Sequence, residues 1–144
     1  MITTLNNLKT YLTNNLGTYL TTLEIKANSI CTIFDYEPET DTKQFSIILQ
    51  YDQEYFEDKE TTAFNYDVIQ DIEVVFYIRK IKNALTKTVE CRNAFIELVK
   101  QDCTFGNLFN YVELISSTIG EDGNLISSSD TALLTMKIKI YSEL

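Results

Sequence analysis

Residues 131–144 read "TALLTMKIKIYSEL", and their alternation decides the fold class. Leu134, Met136, Ile138 and Ile140 alternate with Thr135, Lys137, Lys139 and Tyr141. A period of two marks a strand with one buried side and one wet side, because successive side chains leave a pleated backbone on opposite faces.

Residues 69–80, "IQDIEVVFYIRK", repeat the pattern more strongly. Ile72, Val74, Phe76 and Ile78 form one face, and Glu73, Val75, Tyr77 and Arg79 the other. That second face is only half polar, so a cover or another strand system is expected over it. "QFSIILQYD" (44–52) is a third strand, with Phe45, Ile47, Leu49 and Tyr51 on one side. "SICTIFDYE" (29–37) and "NYVELISS" (110–117) read as strands as well. "EPETDTK" (37–43) reads as a turn or exposed tip, because Pro38 and the charges cannot join a central ladder.

Two helices are predicted. In "TTLNNLKTYLTNNL" (3–16), Leu5, Leu8, Leu12 and Leu16 share one face, with Thr3 or Thr4 as cap and Gly17 as stop. Asparagine and threonine form helices poorly, so packing of the leucine stripe must hold this one. The second spans about 83–101, capped by Asn83 or Thr86, with Leu85, Thr88, Cys91, Phe95, Leu98 and Val99 on its inner face. Its Lys87, Glu90, Arg92 and Glu97 point mostly outward, and Lys100 sits where the helix dipole favours a cation. The order α-β-β-β-α-β-β predicts an α+β fold, a mostly antiparallel sheet with a long helix and a short N-terminal helix packed on it. At 144 residues with one proline and four glycines, a single domain over 1–144 is expected.

Composition excludes much chemistry. There is no histidine, which removes Ser–His–Asp and Cys–His catalysis and the common zinc sites. The glycines, at 17, 106, 120 and 123, are too sparse for a phosphate-binding loop. Cys31, Cys91 and Cys103 fit neither a disulfide framework nor a zinc knuckle, and are expected to be buried free thiols. No apolar run approaches the ~20 residues of a spanning helix, and the start lacks a signal-peptide pattern, so a soluble protein made in a cytoplasm is expected. "DQEYFEDKE" (52–60) and "GEDGN" (120–124) lack the spacing of a calcium loop. The reading is therefore not an enzyme, with no cofactor and no metal.

Charge is uneven. The net value is −9, and residues 35–60 hold nine acids against two lysines. Nucleic-acid binding needs the opposite, clustered lysine and arginine that displace counterions. Within "DQEYFEDKETTAFNYDV" (52–68), read as a polar connection, stand Tyr55, Phe56, Phe64 and Tyr66. A solvated loop gains nothing from four aromatics, so they either tuck into the core or meet a neighbouring subunit.

Several stretches together resemble the tail terminator (tail completion) proteins of long-tailed bacteriophages and related head–tail connector proteins. They are "LNNLKTYL" (5–12), "DIEVVFYIR" (71–79) running into "TVECRNAFIELVKQD" (88–102), "FGNLFNYVELIS" (105–116), and "LLTMKIKIYSEL" (133–144). Such proteins share no catalytic motif. The resemblance implies a structural virion protein, assembled in the host cytoplasm into a homo-oligomeric ring, read as a hexamer. The ring would cap the tail tube and meet the head connector, letting DNA pass without gripping it. It also implies that the terminal strand completes the sheet and offers its outer positions to neighbours. Tyr55, Phe56, Phe64, Tyr66, Val75, Tyr77 and Tyr141 are the expected interface residues. A neck or head-closure protein, an acidic host-directed module mimicking DNA, and a carboxylate metalloenzyme are the competing readings.

Overall fold

The computed structural model describes residues 2–20, 31–34, 45–58, 66–78, 83–120 and 132–143. Its elements are α1 (Ile2–Tyr19), β1 (Cys31–Phe34), β2 (Phe45–Asp58), β3 (Tyr66–Ile78), α2 (Ala84–Gln101), β4 (Tyr111–Ile119) and β5 (Ala132–Glu143). The strands form one sheet in the order β1-β2-β3-β5-β4. β1 runs parallel to β2, and the other pairs are antiparallel. This is an α+β fold.

The strand that ends the sequence is interior. β5 pairs with β3 from Glu143 to Ala132 and with β4 from Tyr141 to Leu134. Both its backbone edges are used inside the chain, so β5 completes the sheet but offers no free edge. Leu134, Met136, Ile138 and Ile140 are all buried, as the alternation requires.

One core joins the helices to the sheet. Phe45, Ile47 and Leu49 of β2, Ile72, Val74, Phe76 and Ile78 of β3, and the buried residues of β5 meet the helices there. Phe76 lies edge-on to Phe95 of α2 at 6.0 Å and stacks beside Phe45 at 6.3 Å. Such aromatic pairs contribute about 0.5–1.5 kcal/mol each beyond their burial.

α1 buries Leu5, Leu8, Leu12 and Leu16, and the stripe continues to Leu20. Gly17 therefore does not stop the helix. The chain stays helical to Tyr19, and the Leu20 amide donates to the Gly17 carbonyl at 3.2 Å. α1 is not short either: among the described residues both helices have 18 residues, and neither is long and apolar enough to cross a membrane.

In α2 the buried residues are Ala84, Thr88, Cys91, Ala94, Phe95, Leu98 and Val99. Leu85, expected inside, is 53% exposed. Asn83 does hold the N-cap position, but in a left-handed conformation and without a side-chain cap bond. Cys91 is buried, whereas Cys103 is exposed, against expectation.

Between 52 and 68 the expectation of a connection is wrong for most residues. β2 continues to Asp58 and β3 begins at Tyr66, the two pairing along that whole length. Acidic composition hid a strand whose pairing supplies its stability. Residues 59–65, with Phe64, lie outside the described residues, as do 35–44 and the turn expected at 120–124 beyond Gly120.

Candidate interaction surface

β-Bulges decide what the sheet displays. In β2 the register shifts between Tyr51 and Gln53, and in β4 between Leu114 and Ser116. Tyr51 pairs with Ile72, Ile72 with Ile138, and Ile138 with Leu114, so both bulges lie at one level across the sheet. A bulge inserts one residue and exchanges the faces beyond it. Past the bulge, Glu54 and Phe56 take the helix side of β2, and Gln53, Tyr55 and Glu57 take the opposite side.

The helix side runs out of cover toward this end. Along β2, Leu49 is fully buried, Tyr51 and Glu54 are half-buried, and Phe56 is 56% exposed. Phe56 pairs with Val68, itself half-buried. At the margin, Gln70 is buried and donates from Nε2 to Glu54 Oε2 at 2.8 Å. Tyr51 donates to the same oxygen at 3.3 Å, and burial together with the Glu54 charge raises the Tyr51 pKa.

The opposite side is a polar and aromatic ladder. One cross-strand row holds Tyr55, Ile69, Tyr141 and Tyr111. Tyr111 and Tyr141 stack at 4.1 Å, and Tyr141 donates to Glu113 Oε2 at 2.8 Å. That bond, with burial adding to it, raises the Tyr141 pKa. In the next row Lys139 Nζ donates to the Tyr55 hydroxyl, lies 4.9 Å from the centre of its ring, and sits 3.4 Å from Asp71 Oδ1. The Tyr55 bond, then Asp71, raise the Lys139 pKa. Lys137 and Glu73 follow at 3.6 Å. Along the bulge line, Asp52, Asp71, Glu73, Lys137, Lys139 and Ile115 border a groove of about 240 Å³. Its lysines are matched by its own carboxylates, Lys137 by Glu73 and Lys139 by Asp71.

The expected interface residues thus separate into two groups. Tyr55, Phe56 and Tyr141, with the backbone of Tyr66, come together at one end of the sheet, across β2, β3 and β5. Val75 and Tyr77 belong to the other end. Val75 is 4% exposed and faces Ile48, 2% exposed, so it is already covered within the single chain and presents nothing to a partner. Tyr77 is half-buried. Outer positions of β5 are also largely engaged at home, through the Lys137, Lys139 and Tyr141 contacts.

Other exposed apolar residues escaped the sequence reading. Leu85 and Val89 of α2 and Ile115 and Tyr111 of β4 are all more than a third exposed. Leu85, Val89, Arg92 and Ile96 recur at helical spacing, a second stripe that could have been seen. Arg92 donates from Nε to Ser117 Oγ at 3.1 Å, which sets that stripe beside β4, the outermost strand on its side of the sheet. No signal in the sequence foretold Ile115, because the bulge exposes it.

A separate polar knot fixes the turn after α2. Tyr11 donates to Asp102 Oδ2 at 2.7 Å, and the Gly106 amide donates to the same oxygen at 2.7 Å. Thr104 donates to Asp102 Oδ1 at 3.0 Å. The Tyr11 bond, foremost, holds the Asp102 pKa below the usual carboxylate range, against the opposing effect of burial. Burial first, and Asp102 second, push the Tyr11 pKa up. Phe105 and Asn107 adopt left-handed backbone here, and Phe105 stacks on Tyr11 at 4.5 Å.

No family model matches this sequence, and no curated protein matches it. Among solved structures, the fold is similar to a chain in the virion of a native gene transfer agent particle. The likeness has a TM-score of 0.50 at 8% identity, and covers 92% of this chain and 95% of that one.

Proposed function

We propose that this chain is a structural virion protein that assembles with copies of itself into a ring, read as a hexamer, closing the tail tube and joining it to the head connector. The observation behind this reading is the fold likeness to a virion chain over nearly the full length of both partners. The resemblance of the sequence to tail terminators adds the particular place in the particle. Charge is consistent with the role: six copies at −9 each carry −54, and an acidic lumen passes DNA without adsorbing it. On this reading the working parts are exposed side chains left over after the subunit folds, and no catalysis is required of them.

Mass measurement of the purified protein at micromolar concentration, alone and with tail tubes, tests the proposal. Rings, or monomers that assemble on tubes, are expected. A strict monomer that ignores tubes overturns it. Loss of the protein is expected to give overlong tubes; tubes of normal length on unjoined heads would favour the head-closure role instead.

A further inference from the structure

Two lengths of strand have an unused backbone edge among the described residues. β1 covers β2 only at Phe45, Ser46, Ile47 and Ile48, so residues 49–58 are paired on the β3 side alone. β4 is the last strand at the other side of the sheet. Its outer edge is engaged where the Val112 amide donates to the Cys103 carbonyl at 2.7 Å, and among the described residues nothing pairs with it beyond that point. Residues 114–119, "LISSTI", are left with one backbone edge facing outward. Edge strands are normally blunted by charged side chains, proline or bulges, because a free edge is a template for another strand. Apart from its bulge, this stretch carries none of these devices.

The two edges fit each other. β2, β3, β5 and β4 pair antiparallel in turn, so β2 and β4 run in opposite directions. A second copy set beside the first, with its helices on the same side, brings its β2 antiparallel to β4 and continues the sheet. Exposed apolar side chains gather at the same borders: Phe56 on the free length of β2, and Ile115 on β4 with Leu85 and Val89 on the helix beside it. Two charges complement each other there as well. Among the described residues Arg92 bonds only to uncharged groups, Ser117 at 3.1 Å and Asn93 at 3.0 Å. Glu54 likewise accepts only from Gln70 and Tyr51. Arg92 reaches β4 from the helix side, and Glu54 stands on the helix side of β2, so the two meet on one face of a continued sheet. We infer that residues 114–119 of β4 pair with residues 49–58 of β2 in a second copy of this chain, with Arg92 of one copy set against Glu54 of the next. The two surfaces differ, so each copy keeps one of each for a further neighbour, and the contact runs head to tail as a ring requires. This rests on the reading of the chain as a ring subunit and adds the strands and the charge pair that join its copies.

A photo-crosslinking phenylalanine analogue in place of Ser116, exposed on β4, tests the contact in the full chain at micromolar concentration, alone and with tail tubes. Adducts between two copies are expected, mapping to residues 49–58 of the second. Sedimentation of Arg92→Glu should show self-association weakened about tenfold or more, because like charges then face each other across the contact. Combining Arg92→Glu with Glu54→Arg should restore it to within about threefold of the native chain. Melting curves check that each variant folds; if Glu54→Arg does not, the adduct map and Arg92→Glu decide alone. Adducts that join β4 to β4 overturn the inference, as do adducts to the tube protein alone, no adduct between copies, or a folded Arg92→Glu that associates like the native chain. Rings whose adducts map elsewhere sink this contact and leave the ring reading standing. Adducts at 49–58 in copies that never close into rings support the contact and count against the ring, so the two readings fall separately.

Discussion

Asp102 sits where one carboxylate receives a tyrosine hydroxyl, a backbone amide and a threonine hydroxyl, tying α1 to the turn that follows α2. Hydrogen bonds to a charged acceptor contribute about 1.5–3 kcal/mol. Tyr11→Phe is accordingly expected to cost about 1–2 kcal/mol in chemical denaturation, since the ring stack on Phe105 survives. The pH dependence follows from the depressed Asp102 pKa. Its stabilisation is complete above the unfolded value of ~4, and is lost as pH falls through the lower folded value. The stability gap between the native chain and Asp102→Asn should be constant from pH 5 to 8 and narrow below about pH 4; a gap that widens in acid would refute this account. Ser46 is the converse case, a buried hydroxyl with no hydrogen-bond partner among the described residues. Removing an unsatisfied buried polar group is neutral or favourable, so Ser46→Ala should leave stability unchanged or raise it by up to about 1 kcal/mol.

At the scale of elements, α1 shows packing overriding propensity. Its asparagines and threonines disfavour helix, yet it runs for 18 residues because four leucines bury one face, a stripe that Leu20 continues just past its end. Leu12→Ala should cost about 2–5 kcal/mol by removing a fully buried side chain. Asn14→Ala, on the exposed face, should gain a few tenths of a kcal/mol from propensity alone. Urea melts of the pair compare the two forces directly, and a costly Asn14→Ala would show that this face is occupied. The strands make a different point. Alternation placed Leu134, Met136, Ile138 and Ile140 inside, and Phe45, Ile47, Leu49, Ile72, Val74, Phe76 and Ile78 with them. It failed beyond Tyr51, where a bulge changes which parity faces the helices. Without that extra residue Tyr55, not Phe56, would stand on the helix side.

For the whole molecule, acidity and apolar exposure have opposite dependences on salt. Association of copies through surfaces such as Leu85, Val89 and Ile115 works against the repulsion of −9 per chain, so it should tighten as salt screens that charge. Sedimentation of the chain alone at 0.05 and 0.5 M salt measures this effect; copies that dissociate as salt rises would mean that ion pairs, rather than apolar contact, hold them together.

Sequence alone determined the element order, the α+β class and nearly all of the sheet's inner face, because local period and burial are the same fact stated twice. It also concentrated aromatics and acids between 52 and 67 without saying what they did there. Tertiary structure decided the rest. Pairing with β3 turned an acidic connection into strand, two bulges chose the exposed side chains, and contacts between distant segments covered Val75 and exposed Leu85. These outcomes depend on register and on neighbours far away in the chain, which no local pattern encodes.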